Sequence, residues 1–204
     1  MYTPAFNRID DRSLLLEGMR AWSFAVLFGP DAEGRPSATH LPLIITDEDE
    51  YGIIQGHFAR ANPHWKSLAG RETLVVFSGP HSYVSPSLYV NPQSVPTWNY
   101  ISIHATGTLN LVEDDPGKDS LLSKLIAIHE PTYLQQWQSM PDSYRTAMLH
   151  NIVGFRIPIS RIEGKFKLSQ NRPDADRHNV QAAHATDTPD EQALAAWMRR
   201  LEGS

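Results

Sequence analysis

The chain has 204 residues, 41% hydrophobic and 20% charged, with a formal net charge of −5 and no cysteine. That length encloses a hydrophobic core without a disulfide or metal staple and suggests one domain, or one domain with an appendage. Disulfides, thiolate nucleophiles and cysteine-ligated zinc are excluded. No apolar run approaches the roughly 20 residues that span a bilayer. Met1-Tyr2-Thr3-Pro4-Ala5 has neither the basic nor the apolar region of a signal peptide, so a cytoplasmic location without a membrane partner is expected. The acidic balance also argues against a dedicated nucleic-acid binder, which usually carries a basic patch.

In chain order, Asp10 or Asp11 caps a short helix through Leu14, Leu15, Leu16 and Met19. Trp22 to Phe28 reads as a strand, and Gly29 to Pro36 supplies turn chemistry. Ala38 to Ile45 is a second strand, in which Pro42 marks an edge or a bulge because proline cannot donate to a ladder. Asp47-Glu48-Asp49-Glu50 is a solvated turn, and Tyr51 to Phe58 is a third strand. Asn62 then caps a helix with Pro63 at its first position, running through Trp65 and Leu68 to Gly70.

Leu74 to Phe77 is a buried strand, His81 to Pro86 a strand or extended segment, and Trp98 to Val112 a long strand with Gly107 as a bulge. Apolar residues at helical spacing from Asp115 onward predict two or three helices divided by Pro131 and Pro141. Ile152 to Ile159 and Ile162 to Leu168 return to strand, and the chain turns polar after Asn171. Asp190 to Leu201 is an amphipathic helix. Strands close in sequence with one helical insertion predict a mainly β fold, a β-barrel with peripheral helices.

Three clusters carry candidate chemistry. In Gly56-His57-Phe58-Ala59-Arg60-Ala61-Asn62-Pro63 a strand runs into a helix start, whose free N–H groups suit an anion, and Arg60 adds a charged fork. Small residues at Ala59 and Ala61 let a ligand approach the backbone. These residues fit a capped helix with a surface arginine equally well, and they do not name the ligand. In Thr39-His40-Leu41-Pro42 a proline-broken strand offers a slot for a planar ring, although a lone strand histidine such as His40 is more often structural. Beyond the aromatic loop from Gly79 to Pro86, Trp98 and Asn99 suit a pocket wall better than Tyr83 or Tyr89. His129-Glu130 lacks a second histidine at position 133, so no metal site is expected. Neither a Walker loop, a dinucleotide fingerprint nor a nucleophile elbow occurs, and no catalytic residue is assigned.

Together these segments resemble the PaiB family of FMN-binding negative transcriptional regulators. The matching stretches are Met1 to Pro4, Ala38 to Pro42, Gly56 to Trp65, Gly79 to Pro86, Val95 to Tyr100 and Ile162 to Arg172. The resemblance implies a split β-barrel related to pyridoxamine-phosphate oxidase over residues 1–177, with the helical insertion at 115–150. A polar linker and amphipathic helix at 178–204 follow, outside any motif. It further implies a homodimer with FMN at the subunit interface. Arg60 and Asn62 then fall at the phosphate, Thr39, His40, Leu41 and Pro42 at the ring edge, and His57 and Ala59 beside them. Lys167, Gln170 and Asn171 complete the site from the partner subunit.

The function implied is FMN-dependent negative regulation of transcription, with DNA as a partner through the resemblance alone. The sequence shows no helix-turn-helix, and Arg199-Arg200 is a minimal basic patch. An FMN-dependent oxidoreductase is the first alternative, because flavin chemistry belongs to the cofactor. A haem-binding split barrel is the second.

Overall fold

The computed structural model describes residues 1–202. Gly203 and Ser204, at the end of the predicted appendage, lie outside the described residues. The strands are β1 (Arg8–Ile9), β2 (Phe24–Pro30), β3 (Pro36–Pro42), β4 (Ile44–Thr46), β5 (Ile53–Ala59), β6 (Glu72–Val84), β7 (Thr97–Thr108), β8 (Asn110–Val112) and β9 (Ile152–Lys167). The helices are α1 (Arg12–Ala21), α2 (His64–Leu68), α3 (Asp115–His129), α4 (Leu134–Ser139), α5 (Asp142–His150), α6 (Asp174–His184) and α7 (Pro189–Glu202). None of them is long and apolar enough to cross a membrane, among the described residues.

The predicted barrel is not formed. The strands lie in one sheet in the order β3-β2-β6-β7-β9-β5-β4, with β1 and β8 paired to β9, and β3 and β4 are its unjoined ends. Closure requires the terminal strands to exchange backbone hydrogen bonds in a consistent stagger. Here β3 has proline at both ends and β4 is three residues long, followed by the acidic tract at 47–50, which leaves little ladder to exchange. The fold is therefore mixed α/β, a large antiparallel sheet with several helices, rather than a mainly β barrel.

One other predicted break also vanishes: residues 72–84 form one strand through Gly79-Pro80, while residues 152–167 form one strand, as the sequence suggests. Extended backbone suits the fixed φ of proline, so Pro80 costs one donor and no bend.

The chain divides into two compact units, one made of residues 1–15, 78–103 and 163–204, the other of 16–77 and 104–162. In the second unit β2 and β3 form a hairpin in register from Phe24↔Pro42 to Pro30↔Pro36. Asp31 closes its turn by accepting hydrogen bonds from the backbone N–H groups of Glu33 and Arg35. β5 pairs with β9 from Ile53↔Pro158 to Ala59↔Ile152. Phe58 and Phe155 meet at 5.0 Å between ring centroids, and Ile54, Leu68, Val153 and Ile157 are buried with them. Gly56 makes room for this layer, since a Cβ there would lie 2.8 Å from the Phe155 ring and 2.9 Å from Leu43. Lys118, fully buried on α3, donates to the Leu149 carbonyl at 3.0 Å and pairs with Asp115 at 2.9 Å, which ties the helices of the insertion together.

In the first unit β1 pairs with the end of β9, and the Met1 ammonium meets Glu163 at 3.1 Å. The polar stretch after Asn171 carries α6, which buries Val180 and His184, while α7 buries Leu194, Ala195 and Met198. Trp197 of α7 stands edge-on to Phe166 at 5.2 Å. Glu191 of α7 accepts from Ser82 at 2.7 Å and from Thr188 at 2.6 Å. These bonds, Thr188 first and Ser82 next, pull its carboxyl pKa down to about 2.

Gly107 lies within β7, where an added Cβ would collide with the carbonyl oxygen of Pro158. Gly107→Ala is expected to destabilise the protein by roughly 1–3 kcal/mol, as overpacking of a closed core does. A urea midpoint equal to that of the parent chain would contradict this.

Candidate functional site

The corner after β5 lies in the second unit. Asn62 N–H bonds back to Ala59 O at 2.9 Å, and the Asn62 carboxamide oxygen accepts from His64 N–H at 3.0 Å. This local turn satisfies the donor that a longer helix would have presented. The helix that follows, α2, has five residues instead of the predicted eight, with Pro63 as its cap. A helix this short supplies little macrodipole, so the anion chemistry of the corner rests on its side chains.

Arg60 extends from the corner and donates through Nε to His150 O at 2.7 Å and through Nη2 to Ile152 O at 3.0 Å. Its own N–H bonds to Asn151 O at 2.8 Å. Trp65 Nε1 in turn donates to Arg60 O at 3.3 Å. Ala59, opposite Ile152, is exposed and leaves the approach open.

Thr39 and Asn62 are brought together although 23 residues separate them. Asn62 Nδ2 donates to Thr39 Oγ1 at 3.3 Å, and that hydroxyl lies 2.8 Å from His64 Nδ1. The arrangement that uses every proton has Thr39 donating to Nδ1, which leaves the imidazole proton on Nε2. Nε2 is buried without a hydrogen-bond partner of good geometry among the described residues. Burial holds the His64 pKa below the ordinary 6.5, against the opposing pull of the Gly29 backbone and Asp31. The three side chains border a recess of about 190 Å³ that also includes Asp31, Ser37 and Ser67. The Asp31 pKa is lowered, chiefly by its hydrogen bonds with Arg35.

The rest of the predicted ring edge runs along β3. His40 is exposed and stacks with Phe24 at 6.2 Å, and Leu41 and Pro42 are half-buried opposite Ala25 and Phe24. His57 stands on β5 opposite Gly154, its Nδ1 buried and unpartnered among the described residues. Burial lowers its pKa as well, so both imidazoles are neutral at pH 7.

The other predicted residues belong to the first unit. Asn99 is fully buried and exchanges two hydrogen bonds with Ser169, at 3.1 and 3.2 Å. Trp98 is 53% exposed, with Tyr83 edge-on at 6.0 Å and His81 at 6.3 Å. Lys167 donates to Thr97 Oγ1 and to the Trp98 carbonyl. Burial lowers its pKa, and so do the neighbouring charges of Lys165 and Arg172. Gln170 bonds the backbone of Phe166 and Leu168 with its side chain, and Asn171 is exposed.

The chain matches the family FMN_bind_2, "Putative FMN-binding domain", over residues 1–161. It belongs to that family. It is 34% identical over 186 residues to the Protease synthase and sporulation protein PAI 2 of Bacillus subtilis, a match that spans 88% of this chain and 87% of that protein. Membership of the PaiB-like group is shown by the two matches together. The solved FAD and Heme binding protein from Mycobacterium smegmatis superposes with a TM-score of 0.64 at 16% identity, covering 86% of this chain and 80% of that one. The Flavocytochrome Anf3 from Azotobacter vinelandii gives 0.63 at 14% identity, covering 85% and 75%. At these identities the likeness is one of fold.

Within this FMN_bind_2 chain, sequence reasoning missed His64, Thr97 and Ser169. The Asn62-Pro63-His64 spacing did carry a signal, because an asparagine side chain bonds the backbone two residues on. Thr97 and Ser169 gave none; tertiary pairing alone reveals them. Thr39→Val leaves His64 Nδ1 and the Asn62 amide without their shared partner. It should cost roughly 1–3 kcal/mol in chemical denaturation, the usual cost of a buried polar group left unpaired. Neutral, buried His57 and His64 also set a pH dependence. Their folded pKa values lie below 6.5, so the unfolded state takes up protons first as pH falls. Their contribution is fully present above 6.5 and is lost as pH drops through that value toward the lowered ones. A denaturation midpoint unchanged between about pH 7.5 and about pH 5.5 would rule this out.

Proposed function

We propose that this chain binds FMN at the corner after β5 and acts, as a homodimer, as a negative transcriptional regulator of the PaiB type. The observation that carries the reading is the Thr39–Asn62–His64 linkage around the polar recess. A hydroxyl, a carboxamide and a buried imidazole border one small space, and the imidazole Nε2 has no hydrogen-bond partner of good geometry among the described residues. The second amide N–H of Asn62 and the imidazole N–H suit the acceptor oxygens of a phosphate and a ribityl chain, so the residues fit the cofactor. Arg60 adds its remaining N–H groups at the exposed side. The exposed and half-buried residues His40, Leu41 and Pro42, with His57 and Ala59 near the corner, would border the ring system. Lys167, Gln170 and Asn171, with Trp98 and Asn99, would be supplied by the second copy. The excess positive charge around Lys167 is favourable to an anionic ligand there.

Bound FMN supplies reversible electron transfer at its ring system. The protein's part is to hold phosphate and ribityl chain, and to keep both histidines neutral so that they donate or accept single hydrogen bonds. The regulatory role draws on the PaiB resemblance and on the B. subtilis relative, which is named a Protease synthase and sporulation protein.

Purified protein is expected to show a flavin absorption spectrum, or to acquire one on titration with FMN. A Soret band in its place, or no FMN binding, would overturn the reading. Asn62→Ala and Arg60→Ala should each weaken FMN binding roughly ten- to hundredfold, the range for hydrogen bonds to charged groups, whereas Arg199→Ala should not. Equal affinities across the three variants would mean that the phosphate lies elsewhere. The regulatory half is tested by salt-sensitive binding to promoter DNA.

A further inference from the structure

On the face of β5 and β9 opposite the Phe58–Phe155 layer, the structure holds a polar group that the folded chain does not satisfy. Gln55, 4% exposed, is paired across the sheet with Ile44 and Arg156, and its Nε2 has no hydrogen-bond partner among the described residues. A buried amide without a partner is costly, and sequences replace it readily by an apolar side chain unless it serves a purpose.

Gln55 borders a cavity of about 360 Å³ between this sheet face and the first turns of α3. That volume falls in the lower part of the range of small-molecule sites, roughly 300–1,000 Å³. Its charged walls have two signs. Lys124 makes no ion pair among the described residues, and Arg156 uses Nη2 to hold Glu48 at 3.0 Å. Glu48 and Asp114 supply the negative side; Asp114 also caps α3 by accepting from Gly117 N–H at 2.8 Å. Ser120 adds a neutral hydroxyl. A purely anionic ligand would be repelled by Glu48 and Asp114, and a purely cationic one by Lys124 and Arg156. Nε2 of Gln55 requires an acceptor.

We propose that this cavity binds a small zwitterion of the α-amino-acid type. Its carboxylate accepts from Gln55 Nε2 and pairs with Lys124 and Arg156, and its ammonium group lies toward Glu48 and Asp114. The cavity shares no residue with the set assigned to FMN, so each reading can fail without the other.

Calorimetric titration of the purified protein with glycine, L-alanine and L-glutamine tests the site, with acetate and methylamine as probes that keep one charge each. At least one of the three zwitterions is expected to bind, with acetate and methylamine weaker by about tenfold or more. Gln55→Leu and Lys124→Met should each weaken that binding by about tenfold or more and leave FMN affinity unchanged. Lys124 is exposed, so its variant is not expected to disturb folding, which far-ultraviolet circular dichroism checks. Gln55→Leu should also raise the melting midpoint of the ligand-free protein, because it removes an unsatisfied buried amide. The proposal is overturned if none of the three zwitterions binds, if acetate binds as tightly as glycine, or if Lys124→Met leaves the affinity unchanged.

Discussion

Three hydrogen bonds from Arg60, two from the guanidinium and one from its backbone N–H, reach the carbonyls of His150, Ile152 and Asn151. Carbonyls at the end of a helix have no partner inside it, and the end of α5 is such a place. One residue therefore joins the end of β5, the end of α5 and the beginning of β9. The backbone from Ala59 to Asn62 is held by this clamp, and Asn62 and His64 are aimed at Thr39 only because that backbone is held. The planar fork of arginine can bridge two carbonyls at fixed spacing, which the point charge of lysine does less well. Arg60 is a structural element of the corner whatever ligand the corner receives.

Around that clamp the chain builds a site with little net charge. Asp31 is neutralised by Arg35, and both His57 and His64 are kept neutral by burial. The recess offers hydrogen bonds in place of ion pairs, which avoids the desolvation penalty of buried charges. Three further cations, Lys165, Lys167 and Arg172, belong to the other unit, where Lys165 and Arg172 raise the positive charge felt by Lys167. There Lys165 lies against the rings of Tyr2 and Tyr100, and Arg172 lies over Tyr89 at 4.0 Å.

Much of this was legible in the residues. Asp11 was identified as a candidate cap, and it accepts from Ser13 and Leu14 N–H at 2.8 and 3.2 Å. The C-terminal helix from Asp190 was read to within a residue of its observed start. Motif-level resemblance identified the family, because long strings such as Gly56 to Trp65 are far more specific than any single residue in them. Two kinds of information were hidden. Local turn chemistry overstated a break, so Gly79-Pro80 looked like an end where the sheet carries the chain straight through. Closure of a sheet is a property of its edges, and neither hydrophobic alternation nor family likeness revealed that β3 and β4 stay unjoined. In the site, the Asn62–Thr39 bond spans 23 residues, and no spacing rule reaches that far.

The crossing of Gly107 with Pro158 also bears on how the sheet is assembled. Strands with one buried face can in principle slide against each other by two residues and keep that face buried. Here a slide by two residues would bring the Ala105 side chain of β7, or that of Leu109 just beyond its end, onto a carbonyl that has room only for hydrogen. The neighbouring Ser160 hydroxyl, bonded to Thr106 O at 3.0 Å, completes the fit in one alignment. The crossing therefore selects one alignment of these two long strands, because misaligned pairings cannot close up around it.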